Sequence, residues 1–353
     1  MKTCARCLND STVRHFQLNE QGVCNFCVAY DKIKEKLNNT ELMEKMFLDR
    51  IDRVRGKYTY DAAVGISGGK DSVYVLDQLV NVYHLKVKAF TMLNGFYSES
   101  ARENVDRLVA EFGVEHEYIT FDPEMLRNFY NYSLSKWLVP CIACSYIGYA
   151  AMINYASKID AGLCIHGRSP EQMLRAYGYD VFTDFVNAGL TDISELNIPE
   201  TYSGILQEIG KKMDSRLMKE VQGMLLQDVK DNDFREFVPY FLYHKYNEKE
   251  IVDYLSKNTS WKPKTKEYNH YDCTIHNASR YIYQCFEGRP HILPEVSALI
   301  RMGDITREEG MAMLNETIDY KDAKDELNNL CRYAGVSPTW TLVKAKIYKK
   351  IRK

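Results

Sequence analysis

Short apolar runs alternate with helical patterns through the middle of the chain. The runs have the length and apolar content of strands in a sheet that is buried on both faces. The stretches between them place apolar residues at helical spacing. The predicted strands cover residues 62–66, 87–92, 115–119 and 161–165, and the predicted helices after the first two cover 73–83 and 99–112. This alternation indicates an α/β fold with a parallel sheet, whose ligand binds at the carboxyl ends of the strands.

The pattern changes on both sides of this region and predicts a division into five segments. Residues 31–57 read as amphipathic helices that link an N-terminal cysteine-rich segment to the α/β domain. Residues 191–260 are polar with few glycines, which predicts a helical insertion. A helical region follows, in which Thr306 and Glu309 form a capping-box signature. The predicted segments are 1–30, 31–57, 58–190, 191–260 and 261–353.

Composition narrows the class of protein. The 353 residues are 45% hydrophobic and carry a formal net charge of −2, so a sizeable core is expected and no basic field covers the whole chain. Residues 344–353 form a basic helix end that reads as solvated surface. The chain begins without an apolar leader and has no run long enough to span a membrane, which predicts a soluble cytoplasmic protein without a membrane partner. Its ten cysteines then favour metal or redox chemistry over disulfides.

A glycine-rich turn follows the first predicted strand directly. Its six residues are Ser67, Gly68, Gly69, Lys70, Asp71 and Ser72. Backbone N–H groups in such a turn, at the positive end of a helix, form a cradle for phosphate. Lys70 adds a positive charge and the two serines add hydroxyl donors. The spacing differs from that of a Walker A loop. The alternative is an ordinary Ser/Gly turn without a ligand.

Four cysteines near the start of the chain have the spacing of a closed metal site. Cys4 and Cys7 form one C-x-x-C pair, and Cys24 and Cys27 form a second one after a spacer of 16 residues. Four thiolates in two such pairs are typical of structural zinc. Since about thirty residues cannot bury a sufficient core alone, Zn²⁺ would also stabilise this zinc ribbon.

Two further groups of candidate residues follow the second half of the predicted sheet. Cys141 and Cys144 stand at the start of a predicted helix, where thiols have lowered pKa values and can bind metal or attack a substrate. The alternative is that both are small apolar fillers. Gly167 and Arg168 follow the strand 161–165, where an arginine suits a phosphate or carboxylate. A surface turn with an ordinary salt bridge is equally compatible with this pair.

The sequence SGGKDS resembles the signature of the PP-loop ATP pyrophosphatases, in the strand–turn–helix setting that this superfamily uses. The resemblance implies a Rossmann-like domain of the adenine nucleotide alpha hydrolase type that binds ATP with Mg²⁺. It further implies that the loop holds the departing pyrophosphate while AMP passes to a carbonyl or amide oxygen of the substrate. Lys70 and Asp71 would be catalytic, and backbone near Met92 would contact adenine. The alternative from a different functional class is a nucleotide-binding module without catalytic activity.

Together with both cysteine motifs and the block HYD…N…G…R-x-G-x-I-T-R-E-E, the loop resembles the N-acetyl sugar amidotransferase family. That family implies conversion of an acetamido into an acetamidino group on a sugar, with ammonia from a separate glutaminase subunit. The chain departs from the pattern in GRSPEQM and in Cys273. Cys141, Cys144 and Cys273 also resemble the set that holds a [4Fe-4S] cluster in tRNA 2-thiocytidine-type thiolases, with sulfur as nucleophile. A sugar is favoured over tRNA by the near-neutral charge, and a homodimer is compatible with the ribbon.

Overall fold

The computed structural model describes residues 2–169, 171–172, 181–190, 235–262 and 272–352. Most of the predicted insertion, residues 191–234, lies outside the described residues. The described parts form an α/β fold with a single five-stranded sheet. The fold class predicted from the apolar runs is therefore confirmed.

The sheet is parallel throughout, and its strand order is β3-β2-β1-β4-β5. Its strands are β1 (Tyr60–Gly65), β2 (Val87–Met92), β3 (Glu115–Ile119), β4 (Ala161–His166) and β5 (Glu236–Pro239). The four predicted strands are all present within a residue or two. The pattern does not predict β5, because only four residues pair there and an aromatic run adjoins them.

The order of the strands places a crevice at one point of the sheet. From β1 the chain builds outward through β2 to β3, and it then returns to the other side of β1 to add β4 and β5. The connections that leave the carboxyl ends of β1 and β4 therefore run in opposite directions. Ligands of open α/β sheets bind at such a switch point. Both central strands are almost completely buried, so their carboxyl ends are held in a rigid core.

Helices are the other main elements of the described residues, and a π-helical turn, Gln78–Val82, continues the helix that follows β1. No helix among these residues is both long enough and apolar enough to cross a membrane. Those before β4 are α1 (Asn25–Leu37), α2 (Thr40–Val54), α3 (Lys70–Asp77), α4 (Glu99–Glu111), α5 (Pro123–Lys136) and α6 (Pro140–Lys158). Those after β4 are α7 (Val181–Asn187), α8 (Tyr240–Tyr243), α9 (Glu248–Asn258), α10 (His276–Glu287), α11 (Leu293–Met302), α12 (Arg307–Asn315), α13 (Tyr320–Ala334) and α14 (Pro338–Arg352).

Two arginines of the C-terminal region dock the N-terminal cysteine segment, one from the connection between α10 and α11 and one from the first turn of α12. Arg289 forms an ion pair with buried Asp10 at 2.6 Å. Arg307 donates to the backbone carbonyl of Cys4 at 3.1 Å and also to that of Cys7. An arginine fork suits two acceptors at once. The two ends of the chain are thus joined around the α/β domain.

Candidate active site

The predicted loop connects β1 directly to α3. Its conformation is fixed by its own serines, since the N–H of Ser67 donates to the hydroxyl of Ser72 at 3.0 Å and the N–H of Gly69 donates to the hydroxyl of Ser67 at 3.3 Å. The hydroxyl of Ser72 in turn donates to the carbonyl of Gly69 at 3.1 Å. The helix begins at Lys70, three residues earlier than the sequence predicts. The loop therefore lies at the positive end of a helix, as a phosphate cradle requires.

Gly68 is the residue around which the loop turns. Its φ of 79° lies in the left-handed region that favours glycine. Its buried carbonyl accepts hydrogen bonds from Asn104 Nδ2 at 2.8 Å and from Trp261 Nε1 at 3.1 Å. The hydroxyl of Tyr97 donates to the neighbouring carbonyl of Ser67 at 2.9 Å. Donors on three other parts of the chain thus occupy the carbonyl side of the turn.

Lys70 and Asp71 form a charged pair in the first turn of α3. Lys70 Nζ lies 3.2 Å from the Asp71 carboxylate and 3.7 Å from Glu248, and the Lys70 side chain is almost fully buried. Burial raises the pKa of Asp71, while the positive charge of Lys70 opposes this shift. The second oxygen of Asp71, Oδ1, is buried and accepts no hydrogen bond from the described residues. A buried carboxylate oxygen with an open acceptor position is a ready ligand for a hard cation such as Mg²⁺.

The turn after β4 closes on the same helix start. A Cβ atom at Gly167 would lie 3.1 Å from the carbonyl oxygen of Asp71, so the two turns approach as closely as glycine allows. The N–H of Arg168 donates to Nδ1 of His166 at 3.0 Å. Burial, reinforced by the charge of Arg168, lowers the pKa of His166 to about 3. His166 is therefore a neutral residue that shapes the turn and directs Arg168.

A short antiparallel bridge brings the C-terminal block to the same site. Tyr97 pairs with Cys273, the N–H of Ser98 donates to the carbonyl of Asp272 at 2.9 Å, and the N–H of Thr274 donates to Phe96. Burial raises the pKa of Asp272, and Arg168 and Ser67 act in the opposite direction. The structure thus adds a second carboxyl group beside the loop.

The three predicted cysteines face this region from two elements. Cys141 and Cys144 lie in the first turns of α6, as predicted, where Cys141 Sγ is 3.0 Å from the hydroxyl of Ser279 and Cys144 Sγ accepts from Asn94 Nδ2 at 3.1 Å. Burial raises the pKa of Cys144 and of Cys273, contrary to the expectation of a lowered pKa at the helix start for Cys144. Burial outweighs the helix dipole there. The charges of Cys141 and Cys144 also raise the pKa of Cys273.

One cavity of about 2050 Å³ joins these groups. Met92 lines it at the end of β2, where its methyl group lies close to Gly148 of α6. The predicted site residues that line the cavity are Ser67, Gly69, Lys70, Asp71, Ser72, Met92, Cys141, Cys144, Gly167, Arg168 and Cys273. Gly68 belongs to the loop but does not line the cavity. Its carbonyl points away from the cavity, toward Asn104 and Trp261.

The four N-terminal cysteines form the predicted metal-binding cluster. Their sulfur atoms all lie within 4.8 Å of one another, and all four side chains are buried. The N–H of Cys24 donates to Cys4 Sγ at 3.2 Å. Contacts with Cys24 lower the pKa of Cys7 and raise that of Cys27, and four thiolates this close together would be stabilised by a bound cation. The described residues contain no other group of three ligands at this spacing. The cavity cysteines are accordingly more widely separated.

Several site residues carry no signal in the sequence. Asn104 and Trp261 are ordinary members of a helical pattern and of a loop, and Glu248 stands in a charged stretch without a motif. Asp272 is visible only as part of the block HYD. A rule that assigns function to lone Asn or Trp residues would produce many false sites, so these contacts become evident only from the fold.

No protein-family model matches the chain. Among curated proteins, the uncharacterized protein MJ1638 of Methanocaldococcus jannaschii is 29% identical over 159 residues, which are 42% of this chain and 57% of that protein. The match therefore spans less than two thirds of the relative.

The solved structures that the chain matches include a tRNA thiolase and two synthetases. The U34-tRNA thiolase NcsA from Methanococcus maripaludis, solved with its [4Fe-4S] cluster, has a TM-score of 0.36 and 14% identity over 90% of this chain and 89% of that one. The NH3-dependent NAD synthetase from Campylobacter jejuni has a TM-score of 0.31 and 16% identity, and the match covers 53% of this chain and 93% of that one. NMN synthetase from Francisella tularensis has a TM-score of 0.31 and 16% identity, and the match covers 61% of this chain and 86% of that one. Scores this low do not establish a shared fold, so the interpretation of the site rests on the residues of this chain.

Proposed function

We propose that this chain is an enzyme that splits ATP to AMP and pyrophosphate and transfers AMP to an amide or carbonyl oxygen of its substrate. One observation carries the proposal: the SGGKDS loop lies at the switch point of a parallel sheet, with Lys70 and Arg168 on the same cavity. A non-catalytic nucleotide-binding module would not require the Lys70–Asp71 pair together with Arg168 and a second carboxyl group beside the loop.

The loop supports the departure of pyrophosphate. The hydrogen bonds of Ser67 and Ser72 hold its backbone before ATP arrives, and α3 directs its positive end at the cavity. Lys70 adds a fixed charge where negative charge develops on the leaving group. Preorganised donors of this kind supply a large share of catalysis, because they need no reorganisation during the reaction. Asp71 Oδ1, with Asp272 nearby, would hold a Mg²⁺ ion, which supplies charge neutralisation on the phosphates when it is bound.

Adenylation makes the substrate oxygen a good leaving group, because it departs as part of AMP. Arg168 is placed to contact the α phosphate or a substrate carboxylate, since its backbone is anchored on His166 at the carboxyl end of β4. A nucleophile then attacks the activated carbon, forms the new bond and displaces AMP.

Three thiols on the cavity favour sulfur as that nucleophile. Cys141, Cys144 and Cys273 would hold a [4Fe-4S] cluster, which would supply sulfur for transfer when it is bound. Because burial raises the pKa of Cys144 and of Cys273, these thiols would act as ligands only once the iron site displaced their protons. In the metal-free form of the same proposal, one of the three thiols would carry sulfur as a persulfide received from a sulfane-sulfur donor, and a second thiol would form a disulfide with it as the product is released.

Nitrogen is the second candidate nucleophile, on the resemblance to N-acetyl sugar amidotransferases. In this case ammonia comes from a separate glutaminase subunit, and the acetamido group of an N-acetyl sugar becomes an acetamidino group. Arg168 and the open volume of the cavity are compatible with a sugar as large as a nucleotide-linked one. The N-terminal cluster would hold one structural Zn²⁺ in either case.

The experiment combines product identification with an isotope. The protein, purified without oxygen, is incubated with ATP and either N-acetyl sugars or unmodified tRNA, each with ¹⁸O in the carbonyl group. We expect AMP and pyrophosphate, with the label in AMP, and turnover by Asp71→Asn that is lower by about a hundredfold. ADP and phosphate, or label only in water, would contradict adenylation. Iron and sulfide assays on the same preparation then separate the two nucleophiles: a colourless, fully active protein that consumes ammonia refutes the cluster.

A further inference from the structure

The outer face of α14 is apolar and exposed. Four residues at helical spacing form this face, Trp340, Val343, Ile347 and Ile351. Trp340 is 64% exposed, Ile347 46% and Ile351 75%. Single exposed apolar residues are common, but a row along three turns of one helix is a continuous patch. We call these four residues the outer stripe.

The opposite face holds the helix firmly on the protein. Thr341 and Ala345 are buried against the C-terminal helices. The ring of Tyr348 packs edge-on against that of Phe286 of α10, with 6.2 Å between the ring centroids. Lys344 donates to the backbone carbonyl of Ser135. The stripe is therefore presented in a fixed orientation by a helix whose inner face is satisfied.

Positive charge borders the stripe. Lys346 and Lys350 are exposed on the side next to Val343, whereas Lys344 and Lys349 turn toward the protein. The chain carries no Asp or Glu after Glu326, and six of its last ten residues are Lys or Arg. Overall the protein is slightly acidic, with a net charge of −2, so this positive region is local.

We propose that α14 binds an anionic lipid surface, with the outer stripe inserted at the boundary between headgroups and acyl chains. A helix with aliphatic and Trp residues on one face and lysines beside them lies in the plane of a membrane interface. Lysines near an anionic surface are attracted to it over about a Debye length. The charges orient the protein and the stripe provides the apolar burial.

Charge and composition disfavour two other occupants. A second copy of the chain that paired through this stripe would bring Lys346 and Lys350 against the same lysines, and nothing acidic on the helix would compensate. A nucleic acid would use the lysines, but it would leave the aliphatic side chains of Val343, Ile347 and Ile351 in water. A lipid surface is the occupant that uses both features.

The test is flotation of the full-length protein with vesicles made of equal parts phosphatidylglycerol and phosphatidylcholine, beside vesicles of phosphatidylcholine alone. We expect binding to the anionic vesicles, weakened by salt, and a blue shift of Trp340 emission that is absent in Trp340→Phe. The double variant Ile347→Asp, Ile351→Asp should bind at least about tenfold more weakly, since burial of one Ile changes an equilibrium by that factor. Val82→Asp is the matched control, because Val82 is 52% exposed on another surface.

The double variant replaces exposed side chains, so its thermal midpoint and circular dichroism should match those of the parent. Equal flotation of parent and double variant, or no flotation of either, overturns the proposal. A concentration-dependent dimer in sedimentation equilibrium that the double variant abolishes would assign the stripe to a second copy instead. If the protein instead bound bulk tRNA through Lys346 and Lys350 and did not bind vesicles, this surface of α14 would be assigned to nucleic acid.

Discussion

Replacing Trp261 by Phe tests whether side chains behind the loop set its affinity for ATP. The indole N–H of Trp261 donates to the carbonyl of Gly68 at 3.1 Å, and Asn104 donates to the same oxygen at 2.8 Å. Phe keeps an aromatic ring in this buried position but removes the donor. One such hydrogen bond contributes about 1 kcal/mol, which corresponds to about fivefold in an equilibrium constant. We therefore expect ATP to bind about fivefold more weakly to Trp261→Phe.

The two donors share one acceptor, so their effects should not be additive. Asn104→Ala alone should weaken ATP binding by a similar factor. The double variant should weaken ATP binding by more than the product of the two single factors, since a buried carbonyl that has lost both donors costs about 1 to 3 kcal/mol. Isothermal titration calorimetry with ATP and Mg²⁺ measures the dissociation constants. Trp340→Phe makes the same chemical change on an exposed residue that does not line the cavity, and it should leave the constant unchanged. Parental affinity in the folded double variant would refute the claim that these contacts hold the loop.

Three further expectations concern metal, catalysis and packing. Replacing Cys24 and Cys27 by Ser should remove one equivalent of zinc per chain in elemental analysis; unchanged zinc would contradict the ribbon site. Asp71→Asn should lower ATP turnover by about a hundredfold while the thermal midpoint stays near that of the parent, and turnover near that of the parent would place the cation site elsewhere. Gly162→Ala would place a Cβ atom 2.5 Å from Cβ of Val54, so chemical denaturation should show a loss of about 1 to 3 kcal/mol; an unchanged free energy of unfolding would mean that α2 moves aside without cost.

Local signals explain how much of the fold is visible in the sequence. The run 62–66 and the turn after it predict a strand and a helix start within about a dozen residues, and the structure has both, with the helix beginning three residues earlier than predicted. The capping box of Thr306 and Glu309 is present for the same reason, because both of its hydrogen bonds join residues three apart. The four N-terminal cysteines converge because their spacing leaves few alternatives.

Contacts between distant segments explain what the sequence does not reveal. Cys273 reaches the loop through pairing of its segment with residues near Phe96, a separation of 178 residues for the contact of Thr274. Neither segment has the length or alternation of a strand, so no periodicity marks the pairing. The raised pKa of Cys144 likewise depends on burial by neighbours that its helix-start position does not indicate.

The docking of the cysteine ribbon by Arg289 and Arg307 has a consequence for the order of events during synthesis. Asp10 and Arg289 are 279 residues apart in the chain. At about 5 to 20 residues per second, a ribosome that has added Asp10 reaches Arg289 roughly 15 to 60 s later. A segment this small would keep its fold through that time only with the proposed metal ion bound. A shortage of metal in the cell would act on the nascent chain, long before any catalytic step, and the last contact to form would be the one that joins its two ends.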